Sequence, residues 1–392
     1  MNDSQMTRNL RCPDRSFFLF GPRGTGKSTW LKQVLPEARR LDLLDTSLQL
    51  ELSREPHQLE SVIGIHPANA WIVLDEVQKV PALLEEVHRL MEERRWRFAL
   101  CGSSARQLRR GGADWLAGRA LTLNMESFSA AELGVRYEIL RALEWGLLPV
   151  VWAQDLPADI LTAYLNTYLK EEIREEGLIR RVPPFLRFLA IAGQMNGQAV
   201  NGHNIAREAA VARATVDTYF SILTDTLIGH FLPAWRPGLK VREATHPKFY
   251  WFDPGVARAA AGLLRDPVDR IWQGTALETL VFHELRVYNE TSRKQRPLAY
   301  YRTPAGAEID FVVETAKRQA TSPPHVVAIE VKRAEKWNRA WEKPMRQLRE
   351  SPSLKVDRLI GIYMGDRTYQ FDQLDVMPVP AFFAALHRGE IF

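Results

Sequence analysis

Gly21-Pro22-Arg23-Gly24-Thr25-Gly26-Lys27-Ser28 reads G-x-x-x-x-G-K-S, a spacing that can enclose an anion. Glycines let successive backbone N–H groups turn inward and approach a phosphate closely. A helix that starts directly after the loop adds the positive end of its dipole. The setting agrees, because the apolar run Ser16-Phe17-Phe18-Leu19-Phe20 precedes the loop and a helix-like stretch follows from Thr29. Residues Gly21 to Thr29 are therefore expected to wrap the phosphates of ATP. Lys27 would reach the β- and γ-phosphates, and the Ser28 hydroxyl would ligate Mg²⁺.

A second signal is Trp71-Ile72-Val73-Leu74-Asp75-Glu76. Four apolar residues read as a buried strand of a parallel sheet, and the acidic pair falls at its carboxyl end, where ligands sit in open α/β sheets. Asp75 would hold the Mg²⁺ through water, and Glu76 would orient or deprotonate the attacking water. The run Phe98-Ala99-Leu100-Cys101-Gly102-Ser103-Ser104 reads as a third strand. Ser103 or Ser104 at its end could touch the γ-phosphate or the water. Arg106, Arg109, Arg110 and Arg119 follow. Arg119 is the first choice for an arginine that a neighbouring subunit supplies to the transferred phosphoryl group. A solvated basic face is the alternative.

A further set of chemistry-bearing residues lies downstream. Glu308-Ile309-Asp310-Phe311-Val312-Val313 and Val326-Val327-Ala328-Ile329-Glu330-Val331-Lys332 read as β-strands. Residues two apart in a strand share a face, so Glu330 and Lys332 point one way and Ile329 and Val331 the other. If the two strands pair, Asp310 and Glu330 converge, and oxygen ligands of this kind suit Mg²⁺, with Mn²⁺ as the substitute. Glu278, on a preceding helical stretch, can complete the acidic cluster. The ion would polarise a scissile phosphate, and Lys332 would position water or meet developing charge. Glu308 shares a strand face with Asp310 and could substitute as ligand. Tyr300, Tyr301 and Trp337 could stack on bases. Arg333, Lys336, Arg339, Lys343 and Arg346 suggest a basic face that could follow a phosphate backbone.

These residues need positioning elements, and the chain divides accordingly. Residues 1–130 read as the parallel-sheet ATPase core and 131–182 as a helical lid or connector. Residues 183–240 read as a winged helix, because Phe185, Phe188, Leu189 and Ala192 give one helix. Ile205, Ala206 and Ala209 give a short second helix, and Thr215, Val216, Tyr219, Phe220 and Leu223 a third. If that module meets DNA, Arg213, Thr215, Asp217 and Thr218 lie near the exposed start of its third helix. Ala212 stands there in place of a capping hydroxyl. Residues 241–392 hold the acidic cluster.

The ordered motifs resemble a family: bacterial and archaeal AAA-type ATPases with a C-terminal domain of unknown function related to restriction endonucleases. The resemblance rests on the loop at 21–28, on Leu74-Asp75-Glu76-Val77-Gln78-Lys79-Val80-Pro81, and on Gly102-Ser103-Ser104-Ala105-Arg106. Leu116-Ala117-Gly118-Arg119 and Glu126-Ser127-Phe128-Ser129-Ala130-Ala131-Glu132-Leu133 continue it. Trp30 departs from the usual smaller aliphatic residue. The order of helix Glu278, strand Asp310 and strand Glu330-x-Lys332 resembles the restriction-endonuclease-like core, with Glu308-Ile309 in place of a proline before the aspartate. The resemblance implies an α/β chain: an AAA-type P-loop sheet with a helical lid, a winged helix and a restriction-endonuclease-like α/β domain. It also implies a homo-oligomeric ring, with a hexamer as one size, acting on double-stranded DNA. Two other readings stay open, an ATP-gated DNA-binding or signalling scaffold with a silent nuclease fold, and an ATPase that remodels proteins.

Composition bounds the rest. The 392 residues suffice for roughly two to four domains. No run approaches the ~18 apolar residues of a membrane span, and the amino-terminal residues lack an apolar signal region, so a cytoplasmic location is expected. Cys12 and Cys101 form no metal or disulfide pattern. The net charge of +5 is compatible with nucleic acid and does not demand it.

Overall fold

The computed structural model describes residues 6–103, 116, 118–169, 182–236, 246–302, 306–319 and 322–392. Ser104, Arg106, Arg109, Arg110 and the end of the expected lid, residues 170–181, lie outside them.

Strands β1 (Phe17–Phe20), β2 (Arg39–Asp42), β3 (Trp71–Asp75), β4 (Arg97–Gly102) and β5 (Leu121–Asn124) form one all-parallel sheet in the order β2-β3-β4-β1-β5. The inner strands are continuously apolar because both faces are covered. Phe18, Phe20, Leu74 and Leu100 pack with Val87 and Leu90 of the helix Leu83–Glu93. Phe17, Leu19, Val73 and Ala99 pack on the opposite side with Trp30 and Leu31 of the helix Lys27–Val34. The unusual Trp30 fills that side, edge-on to Phe17 at 6.2 Å. Because β4 lies between β1 and β3, its carboxyl end falls between the phosphate loop and Asp75.

The expected lid is not one packing unit. The helices Ala130–Leu133 and Ile139–Trp145 bury Leu133, Ala142 and Leu143 in the core of the C-terminal segment. Leu148, Val151, Leu161 and Tyr164 instead enter the core of the middle segment. In the middle, the helices Val182–Gln194, Gly202–Ala209 and Arg213–Asp225 pack on a three-stranded antiparallel sheet. Its strands are β6 (Gln198–Ala199), β7 (Gly229–Leu232) and β8 (Lys248–Trp251), in the order β6-β8-β7. A boundary at 240 would separate β8 from its partners. Phe249 and Trp251 of β8, and Val256 and Ala257 of the helix Pro254–Ala260, belong to the middle core.

The last segment opens with the 22-residue helix Arg270–Thr291, here the long helix. Its six-stranded sheet contains β9 (Leu298–Arg302), β10 (Glu308–Ala316), β11 (His325–Lys332), β12 (Lys355–Tyr363), β13 (Tyr369–Phe371) and β14 (Leu374–Pro378). The order is β13-β14-β12-β11-β10-β9, with β11, β12 and β14 mutually parallel and the rest antiparallel. The long helix and the helix Val379–His387 cover one face, where Leu277, Val281, Phe311, Ile329 and Val331 are buried. The helix Lys343–Arg349 covers the other through Met345 and Leu348. The five-stranded and six-stranded sheets are thus each covered by helices on both faces.

Candidate functional site

Gly24 and Gly26 adopt φ of 77° and 89°, in the left-handed region that glycine enters without a Cβ clash. Gly26 is the N-cap of the helix Lys27–Val34 and provides no side-chain cap, so the first N–H groups of that helix stay open to an anion. Lys27 is buried, and its Nζ donates to the carbonyls of Gly21 at 2.7 Å and Pro22 at 3.1 Å. The ammonium therefore curls into the centre of its own loop. Ser28 Oγ donates to Asp75 Oδ2 at 2.6 Å. The end of β1 and the end of β3 thus bring together the two oxygen groups expected at one Mg²⁺.

Beyond Asp75, Glu76 has φ 57°, a strained backbone for a residue with a Cβ. A buried amide supports it: Gln78 Nε2 donates to Glu76 Oε2 and, at 3.2 Å, to Ser103 Oγ at the end of β4. Gln78 Oε1 is buried, and a side chain at Gly102 would run into it. The linking role of Gln78 depends on β4 lying beside β3, which local sequence does not carry. Arg119 precedes β5, at the amino edge of the sheet and away from its own phosphate loop. Its Nε donates to Glu92 Oε1 at 3.0 Å on the surface.

A cavity of about 340 Å³ adjoins the loop, lined by Thr25, Gly26, Thr29, Trp30 and Gln33 from below and by Met6, Arg8, Phe128, Arg136, Pro149 and Ala153 around it. Its position beside the phosphate loop suits a base and ribose. Arg8 frames it, with Nη2 donating to the Glu126 carbonyl at 2.5 Å, Nε standing 3.3 Å from Glu132 Oε1, and the guanidinium over Phe128 at 5.0 Å. Burial pulls the Arg8 guanidinium below its ordinary pKa, against the raising effect of Glu132 and Glu126. Tyr164 Oη donates to the Arg23 carbonyl at 3.1 Å, so the lid also reaches the loop. The residues of this wall come from distant parts of the chain and carry no local spacing signal.

In the C-terminal segment β10 and β11 do pair, with Phe311 opposite Ile329, so Asp310 and Glu330 adjoin one step further along. Asp310 Oδ2 accepts from the Val331 N–H at 2.7 Å and lies 3.8 Å from Lys332 Nζ. Lys332 also ion-pairs with Glu330. Glu278 faces this group from the long helix and accepts from Tyr250 Oη at 3.2 Å. Burial pushes the Glu278 carboxyl up to about 8, helped by the Asp310 charge and opposed by Lys248 and Lys332. Burial likewise pushes Glu330 up to about 8, again with Asp310 adding and Lys332 opposing. Glu330 Oε2 is buried without a partner among the described residues. Lys248, which the sequence reading missed, joins from β8 and ion-pairs with Glu308.

Other expected contacts are spent internally. Tyr300 is buried and donates to the His246 carbonyl at 2.7 Å, so its face is closed to a base. Trp337 stacks edge-on to Trp341 and donates to Glu342. Arg339 and Arg346 both pair with Glu342 and Asp372, which breaks up the basic row. Arg213 ion-pairs with Asp217, one turn along the helix, and Ala212 leaves that helix without a side-chain cap.

Residues 13–134 match the family described as AAA domain. Residues 136–266 match a domain of unknown function (DUF8612), and residues 273–382 a second domain of unknown function (DUF4143). The N-terminal part is an AAA-type P-loop ATPase domain, the class its parallel sheet and phosphate loop define. No curated protein matches the sequence. Among solved structures, a Signal Transduction ATPase with Numerous Domains (STAND) protein with a tetratricopeptide repeat sensor, from Pyrococcus horikoshii, is similar at 12% identity with a TM-score of 0.20. The match covers 71% of this chain and 46% of that one, so this chain spans less than half the length of that relative. Among the described residues no helix is long and apolar enough to cross a membrane.

Proposed function

We propose that this chain hydrolyses ATP at the 21–29 loop and couples that hydrolysis to work on double-stranded DNA. We read its C-terminal carboxylates as a metal-dependent phosphodiesterase site. The observation that carries the ATPase reading is the 2.6 Å bond between Ser28 and Asp75, two strands apart, with Glu76 held next to it. Ser28 and Asp75 have the oxygen donors that suit Mg²⁺, which when bound neutralises charge on the β- and γ-phosphates. Lys27 leaves the Gly21 and Pro22 carbonyls to meet phosphate oxygens. The open N–H groups of the loop and helix hold the remaining charge. Glu76 orients the attacking water and takes its proton, and Ser103 steadies Glu76 through Gln78. Arg119, placed away from its own loop, is available to the active site of a neighbouring subunit in a homo-oligomeric ring.

The downstream reading is supported by the paired strands and by the unpartnered oxygen of Glu330. Glu278, Asp310 and Glu330 are not grouped to hold a metal in this arrangement; drawn together, they would hold a divalent ion, Mg²⁺ or Mn²⁺, which polarises a phosphodiester when bound. Lys332 stands beside two of those carboxylates, where it can hold the attacking water. The three helices and small sheet of residues 182–251 are consistent with a winged helix that would present its third helix to a groove.

The test measures ATPase rate and strand cleavage on circular and linear DNA with Mg²⁺ or Mn²⁺, for wild type, Lys27→Ala and Asp310→Ala. The reading expects DNA-stimulated ATPase activity that Lys27→Ala abolishes and cleavage that Asp310→Ala abolishes. DNA binding without cleavage under every condition would favour the silent scaffold. ATPase activity indifferent to DNA would favour a protein-remodelling role.

A further inference from the structure

Strand β8 has two faces that serve two different units. Phe249 and Trp251 enter the apolar core of the middle segment. Lys248 and Tyr250, at the alternate positions, face the carboxylates of the C-terminal segment. Lys248 is only 5% exposed. Its ammonium ion-pairs with Glu308, stands 3.9 Å from Glu278 Oε2, and lies over the Tyr300 ring at 5.5 Å. Tyr250 Oη holds the same Glu278 oxygen. On the other side Lys332 pairs with Glu330 and Asp310. Four carboxylates thus share two ammonium groups, and one of the two comes from outside the six-stranded sheet. Glu330, itself 5% exposed, still keeps one carboxylate oxygen unpartnered and buried.

Buried carboxylates need compensating charge, and an ammonium or a divalent cation can each supply it. The two cannot share Glu278 and Glu308 at close range, because like charges a few Å apart in a protein interior repel strongly. In the present arrangement no three acidic, histidine or cysteine side chains among the described residues are grouped so as to hold a metal ion. Two of the four carboxylates are turned to Lys248 instead.

We propose that Lys248 is a built-in counter-ion that competes with a divalent cation for this cluster. The affinity of the cluster for the cation is then set by how closely the three-stranded sheet sits against the six-stranded one. Anything that withdraws β8 opens the cluster, and by reciprocity cation binding loosens the β8 contact. The inference rests on the reading of the cluster as a divalent-cation site. It adds to that reading a regulator supplied by a different part of the fold.

The experiment uses the full chain without nucleotide and measures Mn²⁺ binding by water-proton relaxation and by calorimetry. Lys248→Met is expected to bind Mn²⁺ at least about tenfold more tightly than wild type, and Lys248→Arg to bind like wild type. Asp310→Asn should abolish the binding in both backgrounds. Equal or weaker binding by Lys248→Met, or no Mn²⁺ binding by either protein, overturns the proposal. So does binding that survives Asp310→Asn. Lysine acylation of the wild-type protein, read by peptide mass spectrometry, gives a measurement that does not depend on a variant folding. Mn²⁺ should raise the labelling of Lys248 several-fold, and unchanged labelling also overturns the proposal. Cleavage assays in parallel separate the two levels. Shifts in Mn²⁺ binding without any DNA cleavage sustain Lys248 as competitor and refute the nuclease. Cleavage by wild type with Mn²⁺ affinity unmoved by Lys248→Met does the reverse.

Discussion

Gln78 is the residue that ties Glu76 to the end of β4. Glu76 sits in a backbone conformation that costs energy, and the amide of Gln78 ties its carboxylate to Ser103 across the end of β4. Replacing Gln78 by Leu removes that tether without touching the phosphate loop. We expect ATP affinity to stay within about twofold and kcat to fall roughly 10- to 100-fold, the scale of a misplaced catalytic group. Equilibrium binding of a fluorescent ATP analogue, compared with single-turnover hydrolysis, separates the two. Gly102→Ala should act in the same direction, because its new methyl group displaces the Gln78 oxygen. Glu76→Gln should bind ATP and turn it over at least about 100-fold more slowly. Most of this site was legible in the sequence, since glycine spacing and apolar strands announce phosphate chemistry locally. Gln78 was not, because its meaning depends on β4 lying beside β3. Arg8 and Arg136 were not either, because a cavity wall gathered from distant residues leaves no local pattern.

Among elements, strands gave more away than boundaries did. Alternation placed Glu330 with Lys332 and separated them from Ile329 and Val331, which are indeed buried among the residues of the long helix. The same periodicity in β8 was readable, but not the fact that its two faces serve two cores. The lid read as one helical run because its apolar spacing is continuous, while its packing partners change between Leu147 and Leu148. The neighbouring strand β7 carries His230, whose Nε2 is buried without a partner among the described residues. Burial drives this imidazole well below its ordinary pKa, and the nearby Arg286 and His283 push the same way, against a backbone hydrogen bond at Leu227. The folded state therefore keeps His230 neutral where the unfolded chain would protonate it. Its contribution to stability is present above the ordinary histidine pKa of about 6.5 and is lost as pH falls below it. Denaturation midpoints measured between about pH 8 and pH 5 should fall with acid in wild type. The fall should be shallower in His230→Leu, and an identical slope would remove His230 from the account.

At the scale of the whole molecule, the long helix joins the carboxylate cluster to the segment that carries the phosphate loop. Glu278 near its start faces the carboxylate cluster. Toward its end His283 Nε2 meets the Phe128 carbonyl at 2.9 Å, Glu284 accepts from the Ala130 N–H at 2.7 Å, and Glu290 accepts from the Asn124 N–H at 2.8 Å. Arg286 forms a two-pronged, largely buried pair with Glu126. The contacted stretch, 124–130, continues β5, and its Met125 N–H donates to Phe20 at the mouth of the phosphate loop. A nucleotide that reorders the loop therefore presses on the same backbone that the long helix grips. Hydrogen exchange with and without a non-hydrolysable ATP analogue should show protection at 21–30, at 124–130 and at 283–291 together. Arg286→Ala leaves the buried Glu126 carboxylate without its two-pronged guanidinium partner, with only the nearby Arg8 charge remaining, and should cost about 3 kcal/mol. Pairing it with Glu126→Gln should recover part of that loss. In the double variant the nucleotide should still protect 21–30, while the response at 283–291 falls away. Protection that persists in the long helix without the Arg286–Glu126 pair would move the coupling to the backbone contacts of Glu284 and Glu290.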